Sequence, residues 1–242
     1  MQVVILAGGL GTRLSAVAAN IPKALVPVAG KSFIEHQFDL LRQCGLLDVL
    51  ICTGHMSDQI EKHIGDGTRF GFRVCYSREN PSCLMGTGGA LVNALPLLEE
   101  EFLVMYGDSY LPTDYRAVCD EFMRTGTAAL MCVYRNRGKW DKSNVRLCDG
   151  RVIFYSKLAR ADEADCIDYG LSAFRREVIL RYREIVPPLD LARIQSDLVA
   201  RGELAAFEVA GRFYEIGKPE GLTELDKVLS TSGTMQDRTE RV

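Results

Sequence analysis

The eight cysteines of this 242-residue chain (Cys44, Cys52, Cys75, Cys83, Cys119, Cys132, Cys148 and Cys166) include no CxxC pair, which excludes a zinc ribbon and a thioredoxin-type redox pair. Its three histidines, His36, His55 and His63, have no zinc spacing either. A chain of this size needs no disulfide staples, so the scattered cysteines are expected to be reduced and mostly buried thiols. No apolar run approaches the roughly 20 residues of a membrane helix. The opening MQVVILAGG lacks a basic segment before its apolar stretch, and the expectation is a cytoplasmic protein. There is no excess of positive charge: a net charge of -3 and a pI near 5.7 give no reason to bind nucleic acid or an anionic membrane. Any anion the chain binds must be held locally. It has no repeat and no Pro- or Ser-rich linker, which predicts a single domain over 1–230 followed by a polar tail, 231–242.

What the chain does have is a hydrophobic content of 47% and a regular rhythm. The runs VVIL (3–6), DVLICT (48–53), FRVCYS (72–77) and FLVMYG (102–107) look like strands buried on both faces. Between them Ser32 to Cys44, Ser57 to Ile64 and Gly89 to Leu98 carry apolar residues at helical spacing, and Gly45 and Gly65 stand where helices stop. Strand and helix in alternation predict right-handed crossovers and a parallel sheet between helical layers, with ligands at the carboxyl ends of the strands. After Asp114 the rhythm changes. AALMCVY, SNVRLCDGRVIFYSK and CIDYGLSAF read as strands with a hairpin turn at Asp149-Gly150, so the second half, 115–230, is expected to be more antiparallel. Helical spacing returns at Arg176 to Glu184, Leu189 to Ala200 and Pro219 to Leu229, with a strand pair AAFEV and RFYEIG between the last two. The fold class is α/β, a Rossmann-like three-layer arrangement around a mixed, mostly parallel sheet.

Directly after the first strand comes LAGGLGTRL (6–14), in which Leu6, Ala7, Gly8, Gly9, Gly11 and Thr12 let the backbone turn tightly and aim N–H groups at an anion. Arg13 and then Lys23, in PKAL, add cations. That density of phosphate ligands exceeds what packing requires. A dinucleotide fingerprint needs a glycine where Leu14 stands and a carboxylate where the second strand ends in Thr53-Gly54-His55, so a nicotinamide-dependent oxidoreductase is disfavoured. No GxxxxGK[ST] occurs. Asp108, just past FLVMYG, puts a hard oxygen ligand where such a sheet opens toward its ligand.

LAGGLGTRL with PKALVPVAGKSFIEH resembles the signature of the sugar-phosphate nucleotidyltransferases, and the likeness continues in order through MGTGGAL (85–91), YGDS (106–109), IDYGLSAF (167–174) and FYEIGKPEGL (213–222). Within that family the chain is most similar to the guanylyltransferases acting on D-glycero-D-manno-heptose 1-phosphate, with those for mannose 1-phosphate nearby. The resemblance implies a nucleotidyltransferase fold with a nucleotide-binding half, 1–114, and a sugar-phosphate-binding half, 115–230. It implies the substrates too: an NTP, expected to be GTP, and a sugar 1-phosphate, joined into an NDP-sugar for surface polysaccharide synthesis with release of pyrophosphate. Arg13, Lys23 and Asp108 would be catalytic, and Gly54, Gly86 and Thr87 would flank the base. Magnesium would be held by Asp108 and Glu215, the latter standing where relatives usually carry aspartate. Lys157 would bind the sugar phosphate, while Asn144 and the loop Asp168, Tyr169 and Gly170 would line the sugar pocket. Ser156 replaces a glutamate common in relatives. A homo-oligomer is compatible with all of this. Two alternatives stay open: a catalytically silent nucleotide-sugar-binding regulator, and the same reaction with UTP or dTTP and a hexose 1-phosphate.

Overall fold

The structure is a computed structural model that describes residues 1–9, 20–80 and 82–239, residues 232–239 as backbone only. The predicted phosphate ligands Gly11, Thr12 and Arg13 lie outside the described residues. In chain order the first half forms β1 (Gln2–Leu6), the short β2 (Pro27–Val28) and β3 (Lys31–Ser32), α1 (Phe33–Gln43), β4 (Asp48–Thr53), α2 (Ser57–Ile64), β5 (Arg73–Arg78), α3 (Gly86–Asn93), β6 (Glu101–Tyr106) and β7 (Ser109–Tyr110). The second half forms α4 (Tyr115–Thr125), β8 (Ala129–Arg135), β9 (Val145–Cys148), β10 (Arg151–Tyr155), β11 (Cys166–Arg175), α5 (Arg176–Leu180), α6 (Leu191–Ala200), β12 (Leu204–Val209), β13 (Tyr214–Glu215) and α7 (Pro219–Thr239).

The long strands join in one nine-stranded sheet, ordered β5-β4-β1-β6-β11-β8-β12-β10-β9. From β5 to β6 every pairing is parallel, because each strand returns through a helical crossover. Beyond β6 the neighbours run antiparallel, except that β12 lies parallel to β8. The β9-β10 hairpin turns at Asp149 and Gly150, both at positive φ (47° and 73°), as a two-residue primed turn demands.

Successive side chains of the central strands enter opposite cores. Val3, Ile5, Ile51, Leu103 and Met105 meet Ile34, Phe38 and Leu41 of α1, Ile60 of α2 and Phe122 of α4. Val4, Leu6, Leu50, Phe102 and Val104 meet Leu91 of α3, Ile179 of α5 and Ile194 and Leu198 of α6. This doubly covered sheet explains why the central runs carry no polar alternation. Each fully buried aliphatic side chain contributes about 1.5–3 kcal/mol relative to exposure.

Three expectations need correction. All eight cysteines are free, but Cys75, Cys83 and Cys148 are exposed, since each takes a solvent-facing place on a sheet-edge strand or a loop. AAFEV and RFYEIG do not pair with each other: β12 joins the main sheet beside β8, whereas β13 pairs with β7. The last helix continues in its backbone to Thr239 rather than ending at Leu229, since only Gly233, and no proline, stands in its path.

Candidate active site

At the carboxyl ends of β1, β4 and β6 lies a cleft of about 210 Å³ lined by Leu6, Ala7, Gly8 and Gly9, by Lys23, by Gly86 and Thr87, and by Tyr106 and Asp108. Tyr106 and Asp108 also line a second, wider pocket of about 540 Å³, together with Asn144, Lys157, Asp168, Gly170 and Glu215. The two cavities therefore meet at one carboxylate.

Lys23 opens a short 3-10 turn, Lys23–Leu25, after Pro22, and its Nζ donates to Asp108 Oδ2 at 2.8 Å. Asp108 follows β6 in a backbone turn held from beneath by Gln37 of α1. The fully buried Gln37 donates through Nε2 to the carbonyls of Tyr106 and Ser109, both at 2.9 Å. On the other side the β7–β13 ladder sets Glu215 opposite Ser109, and Ile216 N–H donates to the Asp108 carbonyl at 3.0 Å. A β-carbon at Gly217 would stand 3.8 Å from Asp108 Oδ2 and 3.9 Å from Lys23 Nζ, so the start of the last helix abuts the same pair. Burial pushes the Tyr106 phenol far up, with further contributions from the charges of Asp168, Asp190, Asp108 and Glu215. Carboxylates from several elements thus surround the junction. Among the described residues, no group of three or more His, Cys, Asp and Glu side chains forms a metal cage.

In the first cleft the backbone of the glycine loop approaches its neighbours closely. A β-carbon on Gly54 would lie 2.9 Å from the Gly8 carbonyl oxygen, so Gly54 packs behind Gly8 and does not line the cleft as expected. The cleft includes the buried Glu79, whose Oε2 accepts from Met85 N–H at 2.7 Å and whose Oε1 would lie 3.3 Å from a β-carbon on Gly8. Burial raises the Glu79 carboxyl above its ordinary value of 4.5, against the opposing hydrogen bond from Met85. The neighbouring Cys52 thiol is pushed up to about 12 by burial and then by the charge of Glu79, which leaves it protonated and inert near neutral pH.

Gly86 begins α3 at φ 79°, where a β-carbon would meet the Leu189 carbonyl oxygen at 2.6 Å. Thr87 does not cap its own helix. Its Oγ1 accepts from Leu191 N–H at 2.9 Å and donates to Asp190 Oδ1 at 3.2 Å, capping α6 from across the molecule. The other oxygen of Asp190 accepts from Lys157 Nζ at 2.6 Å.

In the wider pocket Asp168 Oδ1 accepts from Gly170 N–H at 3.0 Å and Oδ2 from the Tyr155 hydroxyl at 3.2 Å. Asn144 Oδ1 accepts from Asp168 N–H at 2.8 Å and so orders that loop. Ser156, in place of the expected glutamate, turns its Oγ to the backbone N–H of Leu158 at 3.1 Å. Tyr169 is a correction. It is 1% exposed, in the core edge-on to Phe213, because side chains alternate along β11 and send it to the face opposite Asp168. Arg212, also in the pocket, lies between the Trp140 and Tyr214 rings, 3.8 and 4.6 Å from their centres, and pairs with Glu224.

Of the predicted residues, Leu6, Ala7, Gly8, Gly9, Lys23, Asp108, Gly86, Thr87, Asn144, Lys157, Asp168, Gly170 and Glu215 come together around the two pockets. Gln37, Glu79, Asp190 and Arg212 were not expected there. The only sequence signal for Glu79 was its place two residues past the end of the predicted strand FRVCYS.

The chain belongs to the nucleotidyl transferase family, whose pattern it matches over residues 2–141. It is 34% identical over 114 residues to the D-glycero-alpha-D-manno-heptose 1-phosphate guanylyltransferase of Campylobacter jejuni, a match covering 47% of this chain and 50% of that protein. With the mannose-1-phosphate guanyltransferase beta-B of Xenopus laevis it shares 27% identity over 226 residues, 91% of this chain and 62% of that one. The matches thus span about half to three fifths of these relatives' lengths. Its fold is that of a putative glucose-1-phosphate thymidylyltransferase from Bacillus anthracis, with a TM-score of 0.83 at 21% identity over 95% of each chain.

Proposed function

We propose that the chain transfers a nucleotidyl group from GTP to a manno-configured sugar 1-phosphate, D-glycero-alpha-D-manno-heptose 1-phosphate or mannose 1-phosphate, and releases pyrophosphate. The observation that carries this reading is the junction: one pocket next to a glycine loop and another next to Lys157 share Asp108. The acceptor's phosphate oxygen attacks the α-phosphorus, and the bond from that phosphorus to the bridging oxygen breaks. Pyrophosphate leaves with the electron pair. The nucleophile is already an anion, so no covalent intermediate and no strong base are needed, and the protonated Cys52 is no obstacle. The demand is to bring two polyanions together beside several carboxylates. Lys23 and the loop amides hold the triphosphate, and Lys157 orients the acceptor phosphate. Asn144, Asp168 and Gly170 meet the sugar.

Asp108 and Glu215 suit magnesium, which is held by one or two carboxylates plus substrate phosphates rather than by an all-protein cage. When bound there it would supply positive charge to the phosphate oxygens. Glu79 supports guanine. An ionised carboxylate only accepts hydrogen bonds, and guanine offers two adjacent N–H donors on its pairing edge, whereas uracil and thymine flank a single N–H with carbonyls. The test is mass spectrometry of the product after incubation with GTP, mannose 1-phosphate or the heptose 1-phosphate, and magnesium. A GDP-sugar is expected. Nucleotide and sugar phosphate bound but unchanged would favour a catalytically silent binder instead.

A further inference from the structure

The Asp190 carboxylate is shared between the two pockets: Oδ1 takes the hydroxyl of Thr87, which lines the nucleotide cleft, and Oδ2 takes the ammonium of Lys157, which lines the acceptor pocket. Asp190 itself belongs to neither lining. Stability is a poor explanation for the ion pair, since the Lys157 and Asp190 side chains are 51% and 52% exposed and such pairs contribute little. The Thr87 end is anchored, because the same hydroxyl accepts the N–H of Leu191, and the N–H groups of Gly88 and Gly89 both donate to the Leu189 carbonyl. Lys157, by contrast, is a point charge on a flexible stem, with a range of positions open to it. Burial works against the charge on Asp190, but hydrogen bonds from Lys157, Ala192 N–H and Thr87 outweigh it and hold the carboxyl below its ordinary value.

We propose that Asp190 is a positioning residue that fixes the Lys157 ammonium relative to the nucleotide loop, so that the acceptor phosphate is presented in register with the nucleotide. This rests on the functional reading above. The carboxylate opposes ground-state attraction between Lys157 and a phosphate dianion while aiming the ammonium for the transfer, so its removal lowers turnover without weakening acceptor binding.

The variant is Asp190→Asn, because asparagine caps a helix as well as aspartate and keeps an acceptor for Thr87 while removing the charge that holds Lys157. Steady-state kinetics are measured for wild type, Asp190→Asn, Lys157→Met and the double variant, with the nucleotide and sugar 1-phosphate that wild type prefers. In Asp190→Asn, kcat is expected to fall on the order of tenfold. The KM for the sugar phosphate stays level or falls, the KM for the nucleotide is unchanged, and the melting temperature is preserved. In the Lys157→Met background the substitution then has no further effect. A rise in the sugar-phosphate KM at unchanged kcat, or losses that simply multiply in the double variant, overturns the proposal and leaves the functional reading standing. No wild-type turnover with any pair overturns the functional reading and this inference with it.

Discussion

Lys23 Nζ lies 2.8 Å from Asp108 Oδ2, pairing the first cation after the glycine-rich loop with the carboxylate where the two pockets meet. The pair is partly exposed, 18% and 31%, so its contribution to stability is of the surface kind, about 0.2–1 kcal/mol. Under the proposed function its position serves the phosphates. Lys23→Ala is expected to cut turnover by about 10²–10³-fold, the usual effect of removing one preorganised charge partner from a transfer site. Circular dichroism and melting should stay close to wild type. A folded variant releasing pyrophosphate at near-normal rate removes Lys23 from the site.

Gln37 holds the backbone on both sides of Asp108 through its two donated hydrogen bonds. Gln37→Leu keeps the volume but leaves the carbonyls of Tyr106 and Ser109 without that donor. The expected cost is about 1–3 kcal/mol per buried group left unpaired. Urea unfolding measures it, and activity should fall further than stability does, because the Asp108 turn is the element released.

Glu79→Gln tests the nucleobase assignment. A side-chain amide offers both donor and acceptor, so the preference for GTP over UTP and dTTP should narrow in competition assays. Unchanged preference removes Glu79 from base recognition. Stability should change with a definite sign. Because the folded carboxyl is raised, the folded state binds more protons than the unfolded one between the two values, and wild-type stability falls as pH rises through that window. The glutamine variant should therefore compare most favourably with wild type at neutral pH, and the difference should shrink as pH drops through the raised value toward 4.5. Melting curves across that range check it.

Gly86→Ala places a methyl group 2.6 Å from the Leu189 carbonyl oxygen at φ 79°. Left-handed backbone alone costs a non-glycine residue about 1–3 kcal/mol, and here the clash adds to it. Stability should fall, and the KM for nucleotide should rise because Thr87 is displaced from Asp190. Wild-type melting in this variant contradicts the geometry.

The parallel half was readable because β1, β4 and β6 are apolar at consecutive positions, which only a doubly covered sheet accommodates. Lys23 and Asp108 were readable because phosphate chemistry concentrates cations and carboxylates beside the glycine loop and strand end. The residues that were missed act through partners distant in sequence: Asp190 is 103 positions from Thr87 and 33 from Lys157, and Gln37 is 69 from Tyr106. Gln37 looked like an ordinary polar position in an amphipathic helix, and Asp190 fell inside the helical pattern Leu189 to Ala200. Tyr169 was misplaced because neighbouring strand residues face opposite ways, so a motif spanning Asp168 to Gly170 cannot lie wholly in one pocket. Tyr214 and Glu215 looked like the partner of β12, but the short ladder to Ser109 and Tyr110 claims them and so brings Glu215 beside Asp108.

The two substrates are expected to meet at Asp108. That meeting is tested most directly by pyrophosphate release measured across the four ribonucleoside triphosphates and dTTP against hexose and heptose 1-phosphates, with magnesium. Release is expected with GTP and a manno-configured sugar 1-phosphate, dependent on both substrates and lost in Asp108→Asn. Release with dTTP or UTP and glucose 1-phosphate would contradict the substrate assignment, and no release with any pair would contradict the account of the site.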